Sequence, residues 1–314
     1  MRRMTASIGI AALLAASLAG CAAVPGFGGC NPVFEAGDSS RIVTANGSSA
    51  DFPTPLVVTS PEVSTLSSGD GALVRKGDQV SFTATTYFGA DGQKLSGDTA
   101  AAQRFEAGVT DNAISEALVC AHVGDRLALV STTADAYGEG AGASGNLADD
   151  DTLVTIIDID AAYLGKADGF NQLPQDGMPT VVTAVDGTPG VSVLAVDAPE
   201  NTRFSLIKGG DGRTVKKDDV VVLHYSLWTW PGTKGGEPVP VSNTWDSHKS
   251  QDFTMTAAEN GLPQGILDAL IGQKVGSQVL LVLTPGDDSF TEDTAPSGAD
   301  ATYIFVFDIL GITK

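Results

Sequence analysis

The chain repeats itself. Gly69-Asp70-Gly71 precedes the run from Val74 to Val80, and Gly210-Asp211-Gly212 precedes the run from Val215 to Val221. The offset is 141 at both ends (210 − 69; 221 − 80). Val123-Gly124 matches Val275-Gly276 at an offset of 152, and Thr152-Leu153 and Asp158 match Thr302-Tyr303 and Asp308 at 150. The same order at nearly fixed spacing, with small changes where loops lengthen or shorten, points to tandem homologous domains. A length of 314 residues suits two or three domains.

The second copy is the clearer one. Val220–Tyr225, Val279–Leu283 and Tyr303–Ile309 are short apolar runs rich in β-branched and aromatic residues, bounded by turn residues such as Gly276-Ser277 and Pro285-Gly286. Such runs read as buried strands. Between the first two, Ile266, Leu267, Leu270 and Ile271 make one apolar helix face, and Gly272 can supply a left-handed C-terminal cap. The expected class is α+β: in each copy, a twisted antiparallel sheet wrapped on one short helix. In the first copy the alternation in Gln79–Thr85 supports the same early strand.

The N-terminus bears on compartment. Arg2-Arg3 precede an apolar run from Ile8 to Leu18 that is too short to span a bilayer stably, and Leu18-Ala19-Gly20-Cys21 ends it. This reads as a signal peptide, and its ending resembles the bacterial lipoprotein box. The resemblance implies cleavage before Cys21 and a diacylated cysteine there, hence an extracytoplasmic chain held to the cell membrane by a lipid anchor. Without residues 1–20 the charge becomes 16 − 38 = −22, against −20 for the whole chain. That balance argues against a nucleic-acid partner, whose phosphates would repel it. Cys30 and Cys120 remain; outside the cytoplasm a disulfide between them is expected, with two buried free thiols as the alternative. No metal is expected, because no His/Cys cluster has ligand spacing.

In order, the expected segments are a signal peptide over 1–20, a tether and leader over 21–50, a first domain over 51–165, a linker and leading hairpin over 166–207, and a second domain over 208–314. The leader includes an edge strand near Ile42-Val43. The hairpin is signalled by alternation around Asp186-Gly187.

Gly210-Asp211-Gly212, Asp219-Val220 leading into His224-Tyr225, Trp245-Asp246-Ser247, Gly265 eleven residues before Gly276 (276 − 265), and Ala301–Phe305 together resemble the FKBP-type peptidyl-prolyl isomerases in order and spacing. The resemblance implies two FKBP-like half-barrels, the first degenerate. In the second it implies a pocket walled by Tyr225, Trp245, Asp246, Phe253, Leu262 and Phe305, with Ile266 where the family has a floor tryptophan. Two departures stand beside it. Pro263 aligns with a family ligand-binding N–H and has none, and Pro285 is followed by Gly286–Phe290 without the family's flap tyrosine. The first copy inverts this. It keeps Ala136-Tyr137-Gly138 at the flap, but has Ala84, Leu95-Ser96 and Thr155 at the aromatic positions.

Prolyl isomerisation faces a barrier of about 18–20 kcal/mol from amide resonance, and needs no cofactor, nucleophile or metal. An apolar site can strip water from the amide and hold it twisted. The implied function is acceleration of X-Pro isomerisation in exported polypeptides by the second domain. The alternatives are a non-catalytic polypeptide-binding lipoprotein and a purely structural one. The bland reading of Tyr225, Phe253 and Phe305 is ordinary core packing, and that of Asp246 is a surface turn.

Overall fold

The alternating and continuous apolar runs become strands throughout, and helices are few and short. A computed structural model describes residues 30–47, 49–96, 102–256, 262–286, 290–291 and 294–313. The signal peptide, Cys21 and most of the tether therefore lie outside the described residues.

Helix α1 (Asp38–Arg41) leads into a hairpin of β1 (Thr44–Asn46) and β2 (Ser49–Asp51). The strand expected near Ile42-Val43 thus starts two residues later, and Val43 is buried while Ile42 is exposed. The first sheet contains β3 (Glu62–Ser67), β4 (Gln79–Phe88), β5 (Lys94–Ser96), β6 (Gln103–Glu106), β7 (Arg126–Thr132) and β8 (Thr152–Tyr163). Helix α2 (Ala113–Ala117) precedes β7 and helix α3 (Thr133–Tyr137) follows it. Asn112 caps α2 by accepting from Ser115 N–H at 2.8 Å.

A connection follows with β9 (Phe170–Asn171) and a hairpin of β10 (Thr180–Thr183) and β11 (Pro189–Ser192). The second sheet contains β12 (Arg203–Gly209), β13 (Val220–Thr229), β14 (Val239–Asn243), β15 (Gln251–Thr254), β16 (Gln278–Leu283) and β17 (Tyr303–Thr313), with helix α4 (Gln264–Leu270) before β16.

The two sheets share one strand order. The first runs β3-β7-β8-β4-β5 with β6 also on β4; the second runs β12-β16-β17-β13-β14 with β15 also on β13. Their irregularities coincide as well. Register shifts fall at Thr65/Ser67, Ser81/Phe82 and Thr86/Tyr87 in the first sheet, and at Leu206/Lys208, Val222/Leu223 and Leu227/Trp228 in the second. Each pair differs by 141, the offset of the sequence repeat. A bulge adds twist and bends its strand, so bulges at matching positions give the two sheets matching curvature.

Each sheet buries both faces. In β16 every residue is buried, which is why its sequence runs on apolar instead of alternating. Val279, Leu281 and Leu283 face the cluster with Ile266, Leu267 and Leu270 of α4. Leu280 and Val282 face Met178 and the β10–β11 hairpin. Burying each such side chain contributes about 1.5–3 kcal/mol. The connection is therefore more than a linker. Its hairpin covers the back of the second sheet, β9 extends that sheet's edge, and β12 starts before residue 208. On the first sheet the leader takes the covering role, with Val43 packed among Leu56, Val130 and Val154.

Residues 31–314 form one compact unit. Inside it Arg104 of β6 makes a forked ion pair with Asp252 of β15, and Glu106 Oε2 lies 3.0 Å from His248 Nδ1. Asp308 holds the connection: its carboxylate accepts from Ala167 N–H and from Gln278 Nε2, both at 2.8 Å. Burial pushes this carboxyl up from its usual 3.8 to about 6. Cys30 and Cys120 are both disulfide-bonded.

Candidate active site

Alternation along β17 sends Tyr303, Phe305, Phe307 and Ile309 to the α4 side of the second sheet. Alternation along β13 sends Leu223, Tyr225 and Leu227 to the same side. The result is an aromatic wall. Tyr225 meets Phe253 edge-on with centroids 5.8 Å apart, and lies 6.5 Å from Phe305 and 6.4 Å from Phe307. Phe305 stacks on Phe307 at 5.0 Å. Ile266 is buried beneath the wall, and Leu262 packs against the same cluster. Tyr225 and Phe253 are half-buried, so the wall is open on their side. The Tyr225 hydroxyl lies 3.3 Å from Ser242 Oγ.

Five of the expected pocket residues are thus brought together: Tyr225, Phe253, Leu262, Ile266 and Phe305. Trp245 and Asp246 are not. Thr244 turns the chain here. Its Oγ1 accepts from Tyr225 N–H at 3.0 Å and lies 2.7 Å from His224 Nδ1, while its own N–H donates to Tyr225 O at 3.0 Å. Adjacent residues of a strand face opposite ways, and Trp245 stacks on His224 at 4.3 Å, so it belongs to the face away from Tyr225. Asp246 is exposed. Its N–H donates to Asn243 Oδ1 and its carboxylate accepts from Asn243 Nδ2, both at 2.9 Å, which makes it a surface turn residue.

Sequence reasoning passed over Phe290, Tyr303 and Phe307. Phe290 meets Tyr303 edge-on at 5.1 Å and tilts against Phe305 at 6.2 Å. The Tyr303 hydroxyl donates to Gly298 O and accepts from Ser297 N–H, both at 2.9 Å. The signal for Tyr303 and Phe307 was present, since period-two spacing about Phe305 puts all three on one face. Phe290 carried no such signal, because it sits in a loop. Of the Pro285–Phe290 segment, residues 287–289 lie outside the described residues. Pro263 takes the N-cap position of α4, so Gln264 is the first residue after it with an N–H to offer.

In the first sheet the matching positions are small or polar. Ala84 pairs with Ile157 where Tyr225 pairs with Phe307, and Thr86 pairs with Thr155 where Leu227 pairs with Phe305. Thr86 Oγ1 lies 3.3 Å from Thr155 Oγ1 and 3.4 Å from the Tyr137 hydroxyl. No aromatic wall forms from these residues.

No family model and no curated protein matches this chain. Solved structures it is similar to include FKBP-type immunophilins. The three FKBP domains of wheat FKBP73 match 81% of this chain over 95% of that one, at 15% identity and a TM-score of 0.33. FkpA from Escherichia coli matches 44% of this chain at 18% identity and a TM-score of 0.31, and a multi-domain immunophilin from Arabidopsis thaliana matches 38% at 17% and 0.30. The matches span 53% and 45% of those two chains.

Proposed function

We propose that the two sheets are tandem FKBP-like domains and that the second is a peptidyl-prolyl cis-trans isomerase acting on proline-containing polypeptides. The observation that carries this reading is the half-open wall of Tyr225, Phe253 and Phe305 above Ile266. The shared strand order and coincident bulges support the tandem arrangement. An X-Pro segment lying against Tyr225 and Phe253, on the open side of the wall, would leave water. Amide resonance separates charge and water stabilises that separation, so desolvation favours the twisted amide. The wall offers aromatic shape and a phenol at its edge, which suits a reaction that makes and breaks no covalent bond.

The proposal includes a lipid anchor at Cys21, a disulfide between Cys30 and Cys120, and work on exported chains at the outer face of the cytoplasmic membrane. For the anchor and the location it rests on the leader sequence alone; for the disulfide it rests also on Cys30 and Cys120 both being bonded.

The second reading is a polypeptide-binding module without catalysis. Pro263 without an N–H and an Asp246 tied to Asn243 favour it, since both remove groups that would hold a substrate in one pose. A protease-free isomerisation assay on a proline peptide separates the two. Acceleration that Tyr225→Ala abolishes in folded protein supports catalysis. Binding of the peptide without acceleration leaves the module.

A further inference from the structure

The hairpin that covers the back of the second sheet leaves one of its own edges open. β10 pairs with β11 in the register Thr180↔Ser192, Val181↔Val191, Val182↔Gly190 and Thr183↔Pro189. Ala184 N–H donates to Thr188 O at 2.9 Å, which puts Ala184 in a hydrogen-bonded pair beside the turn. Hydrogen-bonded and non-hydrogen-bonded pairs alternate along an antiparallel ladder. Val182 and Thr180 therefore direct their main-chain groups at β11, while Val181 and Thr183 direct theirs away from it. Pro189 agrees, since it lies opposite Thr183 and has no N–H to share. Among the described residues β10 has no strand partner but β11, and no hydrogen bond joins the main chain of Val181 or Thr183 to another element.

A cavity of about 560 Å³ lies on this open side, within the range of binding sites. Thr180, Val181, Thr183 and Ala184 line it along β10, no residue of β11 does, and Met178, Leu206 and Ile207 supply an apolar floor. We propose that this cavity is a docking site for an extended segment of another polypeptide, apolar at alternate positions and without positive charge, which adds to β10 as a third strand.

Three observations point to that occupant. The first is the main chain. Two N–H and two C=O groups at two-residue spacing along one edge are matched by the edge of another strand. β10 is four residues long, about 13 Å at 3.3 Å per residue, so the added segment needs only about five residues. The second is the apolar surface. Leu173, Val182 and Val185 adjoin the lining residues in sequence and are 89%, 69% and 93% exposed. Large apolar side chains gathered around a cavity mark a surface that a partner covers. The strand period puts every second side chain of the added segment on the floor and the others beside Val182 on the outer face. The third is charge. No acidic residue lines the cavity, in a chain with 38 of them. Its two cations are engaged at one end, Lys166 Nζ donating to Val185 O and Lys208 Nζ to Ala167 O. A lysine or arginine in the segment would meet these ammonium groups and find no counter-charge. The site lies on the face of the second sheet away from the aromatic wall, and it does not rest on the isomerase reading.

The test is amide hydrogen exchange in the folded protein, read by NMR with and without acetyl-Thr-Val-Thr-Val-Thr-amide. In the free protein the Val181 and Thr183 amides are expected to exchange fast and the Val182 amide slowly, because only Val182 is bonded to β11. Saturating peptide is expected to slow Val181 and Thr183 by about tenfold or more and to leave Val182 unchanged. One analogue is N-methylated at both valines and a second at the threonines, so each loses the donors of one edge. One of the two is expected to bind about tenfold more weakly than the parent peptide. The analogue with lysine for both valines is expected to weaken at least as much, and Leu173→Ser on the exposed rim to weaken the parent peptide several-fold. No binding at millimolar peptide overturns the proposal. So does binding that leaves Val181 and Thr183 exchange unchanged, or equal binding of the parent and both N-methyl analogues. Protection of Val181 and Thr183 that rises with protein concentration in the absence of peptide gives the edge to a second copy of this chain, and overturns the assignment to another polypeptide.

Discussion

Gln79 of the first sheet and His224 of the second meet side chain to side chain, with Gln79 Nε2 3.2 Å from His224 Nε2. The amide orientation follows from its other partners. Ser250 N–H must donate, so it faces Gln79 Oε1 at 3.2 Å; His248 O must accept, so it faces Nε2 at 3.3 Å. His224 Nε2 is therefore an acceptor, and the imidazole is neutral with its proton on Nδ1, donated to Thr244 Oγ1. Gln79 is fully buried and its amide joins the two sheets. Gln79→Ala strands Ser250 N–H and His224 Nε2 without partners and opens a void. It should destabilise the protein by about 3 kcal/mol in urea unfolding. Asp252→Ala breaks the partly exposed ion pair to Arg104 across the same junction, and should cost below about 1 kcal/mol. Equal effects would mean that the buried amide does not govern the junction.

Two buried groups on β13 and β17 titrate with opposite signs. Burial, and then His248, lower His224 from 6.5 to about 4. Its contribution to stability is complete above pH 6.5 and is lost as pH falls towards 4, because the unfolded state takes up the proton first. Asp308 is raised from 3.8 to about 6, so the folded state takes up its proton first and stability is gained as pH falls from 6 to 3.8. Each shift is worth roughly 3 kcal/mol, so the two nearly cancel. Asp78, Glu106 and Asp160 are raised and add to the Asp308 side. Unfolding free energy should therefore hold or rise slightly as pH falls from 6 to 4, whereas Asp308→Asn, with the His224 loss set against only the Asp78, Glu106 and Asp160 gains, should lose stability over that window. A flat profile in Asp308→Asn would contradict this account.

The repeat, the strands and the short helix of the second copy were legible in sequence because each depends on local patterning. Val220–Tyr225 and Tyr303–Ile309 are apolar over lengths that suit buried strands, and Gly272 takes a φ of +91° just past α4, where a left-handed cap was expected. The direction of Trp245 was not legible. It is set by Thr244, whose hydroxyl and N–H bind the backbone of Tyr225 nineteen residues away, a contact that no spacing announces. The same holds for the connection. The alternation around Asp186-Gly187 gave the hairpin but not the sheet face it covers, because tertiary packing made that choice.

Gly187 in that hairpin has a φ of +109°, and a Cβ built on it would sit 2.6 Å from Trp245 Cη2 and 2.8 Å from Lys166 Cβ. An alanine there faces both a strained backbone and an aromatic ring pinned between the hairpin and His224. Gly187→Ala should cost about 1–3 kcal/mol and move the Trp245 indole resonance. Gly232 has open space around its Cβ position, and Gly232→Ala is the control that should change stability by less than about 0.5 kcal/mol. Similar values for the two would show that the hairpin does not rest on Trp245.

Phe305 and Phe307 separate wall from core. Their rings stack at 5.0 Å with 7° between planes, and both are almost fully buried, so either truncation opens a cavity. Phe305→Ala and Phe307→Ala should each cost about 3–5 kcal/mol, too much to test function cleanly. Tyr225 is half-buried, and its hydroxyl has an exposed bond to Ser242. Tyr225→Phe should leave stability within about 0.5 kcal/mol, because an exposed hydroxyl returns to water at little cost. Tyr225→Ala keeps the backbone pairing of β13 with β17 but removes the ring that meets Phe253. If the wall acts by shape and desolvation, Tyr225→Phe should retain most isomerase activity while Tyr225→Ala loses nearly all of it at the same folded fraction. Activity lost equally in both variants would instead give the phenol a hydrogen-bonding role, which the contact to Ser242 does not supply.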